Sequence, residues 1–383
     1  MNRKQFTLLL LALLVVGSAG LLLFKRNQRS WSVHEAKTGD KLLPNFRFND
    51  VAGIRIKGNN SDFDIVRREG VWRVPKRNDY PANYSLIKNL LLNMRDVKVA
   101  RSENIGPSQR AHVGLDEPGK DGGGILIEFK DAQGKLLDSL LVGKRHLRPE
   151  SAADPFRMRG LFDGCYVLLP QDPQNVLLIS DDLGTVSAEP GSWLDHSFVI
   201  IENIRSISSI GSDGDKQWEL ARDSEAERWT LRDNKPGATE TLDTTAAAQT
   251  VEMLALLSFV DVDVAPDSSQ LDKSKARTLF VKTLESFSYV VAINGKRSDG
   301  HYQLTVTTES NIPEEPVDKE STNEKRKLLE KFKREQTFAR WIYVVEPSVL
   351  EPLIRERTQF VKPASNILEH EGVAKKETPT STE

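Results

Sequence analysis

Residues 114–120 carry the spacing of a phosphate-binding loop, Gly114-Leu-Asp-Glu-Pro-Gly119-Lys120. In such a loop, backbone amides and the N-terminus of the following helix hold the phosphates, and a Ser or Thr after the lysine binds magnesium. Here Asp121 replaces that hydroxyl residue, Pro118 removes one amide, and Gly122-Gly-Gly124 disfavours a helix. We therefore predict no nucleotide site in this segment and no cofactor for the protein.

Other residues with reactive or metal-binding side chains lack the spacing that their chemistry needs. Asp195-His196-Ser197 contains the residue types of a catalytic triad, but folding and not adjacency in sequence assembles a triad. The six histidines are scattered, without the i, i+4 spacing of a metal-binding helix. Neither Asp181-Asp182 nor Asp261-x-Asp263 has the spacing of a calcium loop. We therefore predict no catalytic residue and no metal ligand, so that the protein is not an enzyme.

The only cysteine and two tryptophans complete the set of candidate residues. Cys165 lies in an apolar strand-like run, which favours a small core residue over a nucleophile. Trp72 and Trp229 stand at matching positions in two patterned stretches, and we expect both indoles to lie in hydrophobic cores. The alternative is an aromatic platform for a carbohydrate or a peptide. Trp72 and Trp229 are therefore the weak candidates for ligand or partner binding.

Residues 6–24 form an uncharged apolar run, FTLLLLALLVVGSAGLLLF. As a helix, this run nearly spans the hydrocarbon core of a bilayer. We predict that residues 1–29 are an uncleaved N-terminal membrane anchor, the transmembrane helix of a single-pass protein. A cleaved secretory signal is the alternative, because Gly17-Ser18-Ala19 offers small residues for cleavage. The apolar run continues past these residues to a basic stop at Lys25-Arg26, which favours the anchor.

The composition of the chain predicts that the part after the anchor is a soluble globular body. The 383 residues suffice for two domains, with 38% hydrophobic and 28% charged residues. A formal net charge of -2 argues against a non-specific nucleic-acid binder, which would carry a strong positive field. The charges flanking the anchor slightly favour a cytoplasmic body, although long domains often cross the membrane regardless of such charges.

Two stretches of the body, residues 46–200 and 201–363, show the same order of patterns. Each opens with an alternating strand, continues as a strand meander that ends in a tryptophan strand, and then forms an amphipathic helix. We predict an α+β fold of two tandem related modules, built from antiparallel strand meanders with one amphipathic helix each. The apolar positions of the two helices are Ile87, Leu90, Leu91 and Met94 in the first, and Val251, Leu254 and Leu257 in the second.

Specific boundaries follow from the same patterns. Ser85 is the expected cap of the first helix, and Thr244 or Thr245 is expected near the start of the second. The hairpin predicted at 125–142 corresponds to a hairpin predicted at 289–306. Residues 312–336 form a charged insertion whose second part, Asp318 to Arg334, favours a helix. That helix is either a solvated surface helix or a partner-binding one, and we expect residues 364–383 to be a disordered tail.

With these patterns established, the chain resembles the bacterial membrane family known as domain of unknown function 4340. The likeness covers most of residues 46–200 and extends more weakly to the second module, where Gln270-Leu-Asp-Lys273 replaces the family's Gly-Leu-Asp-x-Pro turn. The matching segments are the anchor, Val51-x-x-Ile54-x-Ile56, Glu69-Gly70-Val71-Trp72, Tyr80-Pro81-Ala82-Asn83, Val113-Gly114-Leu115-Asp116-x-Pro118 and Leu141-Val142-Gly143-Lys144. These motifs are structural and carry no chemistry.

The resemblance implies a role beside a transporter. Members of the family look like anchored extracytoplasmic proteins that accompany ABC-type export systems related to the gliding-motility transporter. We therefore expect a membrane-anchored accessory or scaffold protein of the inner membrane, with a periplasmic body. Its expected partner is an ABC transporter permease or auxiliary subunit, and no nucleic acid. The alternative is a carbohydrate- or peptide-binding module at the membrane surface.

Overall fold

The computed structural model describes residues 38–147, 162–181, 183, 186–232, 240–263, 271–311 and 319–363. The predicted anchor, the first part of the insertion (312–318) and the predicted tail lie outside these ranges. The described chain is α+β, with mainly antiparallel sheets and few helices, which confirms the predicted fold class. Within these ranges, no helix combines the length and the apolar character needed to cross a membrane.

The helices and strands are numbered here in chain order. The α-helices of the described residues are α1 Tyr84–Asp96, α2 Thr244–Ala255, α3 Lys319–Gln336 and α4 Pro347–Leu350. The strands are β1 Gly53–Lys57, β2 Asp62–Arg68, β3 Val71–Val74, β4 Tyr80–Pro81, β5 Val99–Glu103, β6 Ile125–Lys130, β7 Leu136–Leu147, β8 Phe162–Leu169, β9 Asp172–Ile179, β10 Ile204–Gly211, β11 Lys216–Ala221, β12 Thr230–Leu231, β13 Glu240–Leu242, β14 Asp261–Val262, β15 Arg277–Thr283, β16 Phe287–Lys296, β17 Tyr302–Ser310, β18 Tyr343–Val345 and β19 Val361–Pro363.

The chain divides into two compact units. The first unit comprises Met1–Arg67 and Ser85–Ala188, and the second comprises Arg68–Tyr84 and Glu189–Glu383. This grouping differs from the predicted modules, because Arg68–Tyr84 joins the later part of the chain. The module boundaries at 46–200 and 201–363 stay a prediction.

The first unit holds an antiparallel sheet in the order β2-β1-β6-β7-β8-β9-β5. Alternation places Ile54 and Ile56 on one face, opposite Phe129 and Ile127 of β6, and all four side chains are buried. Helix α1 buries the predicted apolar stripe at Ile87, Leu90 and Met94. The prediction of Ser85 as its cap is wrong, because the helix already begins at Tyr84.

The second unit holds a sheet in the order β12-β11-β10-β15-β16-β17-β18-β14, and the short pairs β3–β4 and β13–β19. Asp243 caps α2, because its carboxylate accepts hydrogen bonds from the amides of Thr245 and Ala246. Thr244 and Thr245, which were predicted near the start of this helix, are its first two residues, and this prediction is confirmed. Leu254 is buried in α2, whereas Leu257 is buried just beyond the end of the helix.

The seven strands of the first sheet have counterparts in the same order in the second, β11-β10-β15-β16-β17-β18-β14. In each sheet, the strand that follows the helix pairs with the last strand and forms an edge. The hairpin at 125–142 is β6–β7, and the prediction matched it with β16–β17 at 289–306. This match is wrong by one strand, because the counterpart of β6 in the second sheet is β15 and that of β7 is β16. Strand β15 was not predicted, because two polar residues, Arg277 and Thr283, share its buried face with Leu279 and Val281.

Helix α3 is the structured part of the charged insertion and lies between β17 and β18. Its bounds, Lys319–Gln336, confirm the helix predicted from Asp318 to Arg334. The corresponding strands of the first sheet, β8 and β9, are joined by only Pro170 and Gln171. One face of α3 packs on β16, where the Phe332 and Phe287 ring centroids lie 6.2 Å apart.

Candidate functional site

The second unit contains an open cleft of about 460 Å³ whose lining is rich in charged side chains. Four carboxylates line it beside two guanidinium groups and one imidazole. These charged residues are Glu189, Asp261, Asp263, Asp299, Arg77, Arg297 and His301. We refer to this feature as the acidic cleft.

Arg77 is held in the acidic cleft by a bidentate pair with Asp261. Its Nε and Nη2 atoms lie 2.6 and 2.7 Å from the two carboxylate oxygens, the geometry of a strong charge-assisted hydrogen bond. The turn after Arg77 sets its direction, since Asn78 and Asp79 both have positive φ, 52° and 53°, which Asn and Asp tolerate better than most residues. The Trp341 indole N–H donates to the Asn78 carbonyl at 3.0 Å and fixes this turn.

Asp263 is the second acidic anchor of the cleft. Asp261 and Asp263 both line the cleft, and Val262 between them is buried. The Asp263 carboxylate accepts hydrogen bonds from Arg297 Nη1 at 2.5 Å and from Gln303 Nε2 at 2.6 Å. Gln303 is itself buried, so both donors hold the carboxylate in one orientation.

The turn between β16 and β17 supplies the third charged group. Arg297 donates to Asp299 at 3.1 Å, and the His301 amide donates to the same carboxylate at 3.1 Å. Burial alone would raise the pKa of Asp299, but these hydrogen bonds outweigh it and hold the pKa below its ordinary value. His301 Nε2 lies 3.3 Å from a carboxylate oxygen of Glu346. The turn is therefore an ionic network that includes more carboxylates than guanidinium groups.

A glycine allows the two walls of the cleft to meet. A Cβ atom at Gly191 would lie 2.8 Å from the Val260 carbonyl oxygen and 3.1 Å from Cγ of Asp261. Only glycine therefore fits this approach without displacing backbone. The His196 ring bridges the same walls, with Nε2 at 3.1 Å from the Gly191 carbonyl and Nδ1 at 3.1 Å from the Phe259 carbonyl.

An aromatic cluster lies beside the acidic cleft in the same unit and comprises Tyr80, Phe198, Phe259, Trp341 and Tyr343. Tyr80 contacts Trp341 edge-on at 4.7 Å between ring centroids, and Phe198 lies 4.5 Å from Tyr343. Burial, above all other causes, raises the pKa of both tyrosines above the ordinary value. The neutral Tyr343 hydroxyl donates to the Phe338 carbonyl at 3.0 Å. This packing gives the cleft walls a rigid support.

The structure places neither tryptophan candidate in the acidic cleft. Trp72 is buried, as expected of a core residue. The expectation for Trp229 is wrong, because its side chain is only half-buried and the Arg222 guanidinium lies 4.8 Å from its ring centroid. Trp218 on β11 is the buried tryptophan of the second sheet, with its indole N–H donating to the Arg355 carbonyl at 2.8 Å. A ligand-binding role for Trp72 or Trp229 stays a prediction.

The other residues that were considered for chemistry are also placed by the structure. Asp195 accepts a hydrogen bond from the Ser197 amide at 3.0 Å, and His196 faces backbone carbonyls, so these three do not form a triad. The Cys165 side chain is buried. Residues 114–124 lead directly into β6 and not into a helix. Among the described residues, no group of three or more His, Cys, Asp or Glu is arranged to hold a metal ion.

Sequence reasoning missed the acidic cleft because its partners are far apart in the chain. Asp261-x-Asp263 was a candidate for a calcium site, and no pattern in the sequence marks Arg77. The two members of the Arg77–Asp261 pair are 184 residues apart. The one local pattern that pointed to the cleft was the alternation of two aspartates in a short β-branched strand. Such alternation indicates an exposed strand face, but it does not predict which residue pairs with the aspartates.

Comparison with models of protein families, with curated proteins and with solved structures finds no match for this chain. The fold and the site together define an α+β protein with a preorganised, carboxylate-rich cleft in its second unit.

Proposed function

We propose that the chain is a membrane-anchored extracytoplasmic accessory protein that acts as a scaffold in an ABC-type export system. The uncharged run at residues 6–24 supports attachment to the inner membrane. The resemblance to the domain of unknown function 4340 family supports a periplasmic body and a permease or auxiliary subunit as the partner. On this proposal the body holds a transporter subunit and carries out no chemistry of its own.

The body is, on the same proposal, a pair of tandem related modules that arose by duplication. The shared order of seven strands supports this, as does the helix that precedes each edge strand. Chains that stack or repeat one supersecondary unit commonly present extended binding surfaces. A duplicated non-catalytic module is therefore suited to a scaffold role.

The observation that carries the proposal is the preorganised excess of carboxylates in the acidic cleft. Each carboxylate oxygen has more than one lone pair, so Asp261, Asp263 and Asp299 can accept further donors beside their present arginines. The ion pairs already hold these side chains in place, which lowers the entropy lost when a partner binds. The cleft therefore suits a segment of a partner protein that carries Lys or Arg side chains.

Affinity purification of the tagged full chain in a mild detergent tests this function. We expect a transporter subunit to be recovered with the wild-type chain and to fall about tenfold with Ser192→Arg, because a cation in the acidic cleft repels a basic segment. Ser192 is an exposed residue of the cleft lining. Ser108→Arg is the matched control, since Ser108 is an exposed residue of the first unit, and it should leave the recovery unchanged.

Two outcomes would contradict the proposal. One is recovery of the bare chain under conditions that keep the transporter intact. The other is an equal fall in recovery with Ser192→Arg and Ser108→Arg, which would separate partner binding from the acidic cleft.

A further inference from the structure

Helix α3 and the 3-10 turn that follows it, Thr337–Arg340, carry a row of exposed cations. These residues recur at helical spacing, so they share one side of the helix. We call them the basic stripe: Arg326, Lys327, Lys333, Arg334 and Arg340, all exposed. The exposed acids of the same described segment are Glu324 and Glu330, so cations are in clear excess.

The opposite side of α3 is fixed to the second unit. The Tyr289 hydroxyl donates to the buried Glu335 carboxylate at 2.8 Å, and Lys331 Nζ lies 5.1 Å from the Phe287 ring centroid. Phe338 is buried and lies 5.3 Å from Phe198 between ring centroids. These contacts hold the C-terminal part of the helix and the turn that follows it, so this part of the basic stripe is presented on a rigid support.

The connection that contains α3 is longer than the sheet requires. Two residues, Pro170 and Gln171, join the corresponding strands β8 and β9 in the first unit. Residues 311–342 join β17 and β18 in the second. The added segment therefore serves something other than the pairing of these strands, and its distinguishing surface is the basic stripe.

We propose that the basic stripe binds the anionic headgroups of the lipid surface to which the chain is anchored. This inference rests on the proposed membrane attachment. Residues 25–37, which join the apolar run to the described body, reach at most about 45 Å when extended, so the bilayer stays available to the body. Each Lys or Arg near an anionic surface adds to the attraction. An acidic protein segment would offer the same charge, and the experiment below treats it as a separate outcome.

Hydrogen–deuterium exchange of the full chain in lipid nanodiscs tests the proposal. The discs contain phosphatidylcholine alone, or phosphatidylcholine with one-third phosphatidylglycerol. We expect the amides of residues 323–340 to exchange about tenfold more slowly in the anionic discs, and the difference to vanish in 0.5 M NaCl, where screening is strong.

A charge-matched pair of variants assigns the effect to the basic stripe. Arg326→Gln, Lys327→Gln, Lys333→Gln and Arg334→Gln, combined in one chain, should abolish the slow exchange. The control chain carries four exposed lysines replaced by Gln outside α3, at Lys135, Lys273, Lys275 and Lys282, and should keep it. Equal exchange in both discs, or loss in both variants, overturns the proposal. A third outcome also overturns the proposal. If exchange is slowed by polyglutamate added to phosphatidylcholine discs and is not slowed by phosphatidylglycerol in the discs, the ligand of the basic stripe is an acidic protein segment.

The same preparation tests the proposed membrane anchor separately, by whether the chain elutes with the nanodiscs. A chain that elutes apart from the nanodiscs contradicts the anchor. The basic stripe is then tested by binding of that free chain to vesicles of the same two compositions. Binding to the anionic vesicles alone supports the stripe, and no binding to either overturns it.

Discussion

Replacing Trp218 with alanine is expected to lower the free energy of unfolding of the second unit by about 3–5 kcal/mol. The side chain is 1% exposed, its ring centroid lies 4.7 Å from that of Phe360, and its indole N–H donates to the Arg355 carbonyl. The substitution leaves a cavity and an unpaired carbonyl, and both effects destabilise the folded state. Urea denaturation followed by circular dichroism measures the change.

Trp229→Ala is the matched control for this effect. The Trp229 side chain is half-buried and has the Arg222 guanidinium over its ring, so the expected loss is about 1 kcal/mol. Equal losses for the two variants would contradict the assignment of Trp218 to the core. A larger loss for Trp229→Ala would restore the sequence-based expectation that this residue is the core tryptophan.

The second large effect is expected at Glu335, which α3 buries against β16. Burial, the largest cause, raises the pKa of Glu335 above its ordinary value of 4.5, against the hydrogen bond from Tyr289. The backbone amide of Ile200 and the cations Lys331 and Arg334 also favour the carboxylate. The folded state therefore binds this proton more tightly than the unfolded chain does.

The sign of the pH dependence follows from that difference. The stabilisation from the protonated Glu335 is full below the ordinary pKa and is lost as the pH rises through the raised, folded-state pKa. Glu335→Gln removes this titration. Above the folded-state pKa, the wild type buries a charged carboxylate, one oxygen of which has no hydrogen-bond partner among the described residues. The glutamine variant carries no charge there, so we expect it to be more stable than the wild type by about 1–3 kcal/mol.

Denaturation of both chains at a series of pH values from 4.5 upward measures this difference. Tyr289→Phe is the complementary variant, because it removes the donor to Glu335. It should destabilise the second unit by about 1–3 kcal/mol, with the larger loss at the higher pH. A stability difference between wild type and Glu335→Gln that does not change with pH would contradict the raised pKa.

Local patterns predicted much of the fold but not its fine boundaries. The 3.6-residue period marked α1, because Ile87, Leu90 and Met94 face the same side of the helix. The cap predicted for α1, Ser85, was misplaced because the helix already begins at Tyr84. The start of α2 was predicted near Thr244, where the helix begins. Strand β15 was missed because a buried arginine and a buried threonine interrupt its apolar alternation.

The acidic cleft could not be predicted from the sequence. Its central pair joins Arg77 and Asp261, and its position depends on the left-handed turn at Asn78 and Asp79 and on the glycine at 191. None of these features has a periodic signal. The charged insertion was visible as a helix, but its division into a buried face with Glu335 and an exposed basic stripe depends on packing against β16.

A photo-cross-linking residue at Ser192, in the full chain in its native membrane, tests docking of a partner at the acidic cleft most directly. Ser192 is exposed and lines the cleft, and the same residue at Ser108 is the control. We predict a cross-linked product that contains a transporter permease or auxiliary subunit from position 192 and none from position 108. No product from position 192, or the same product from both positions, would contradict the proposed function.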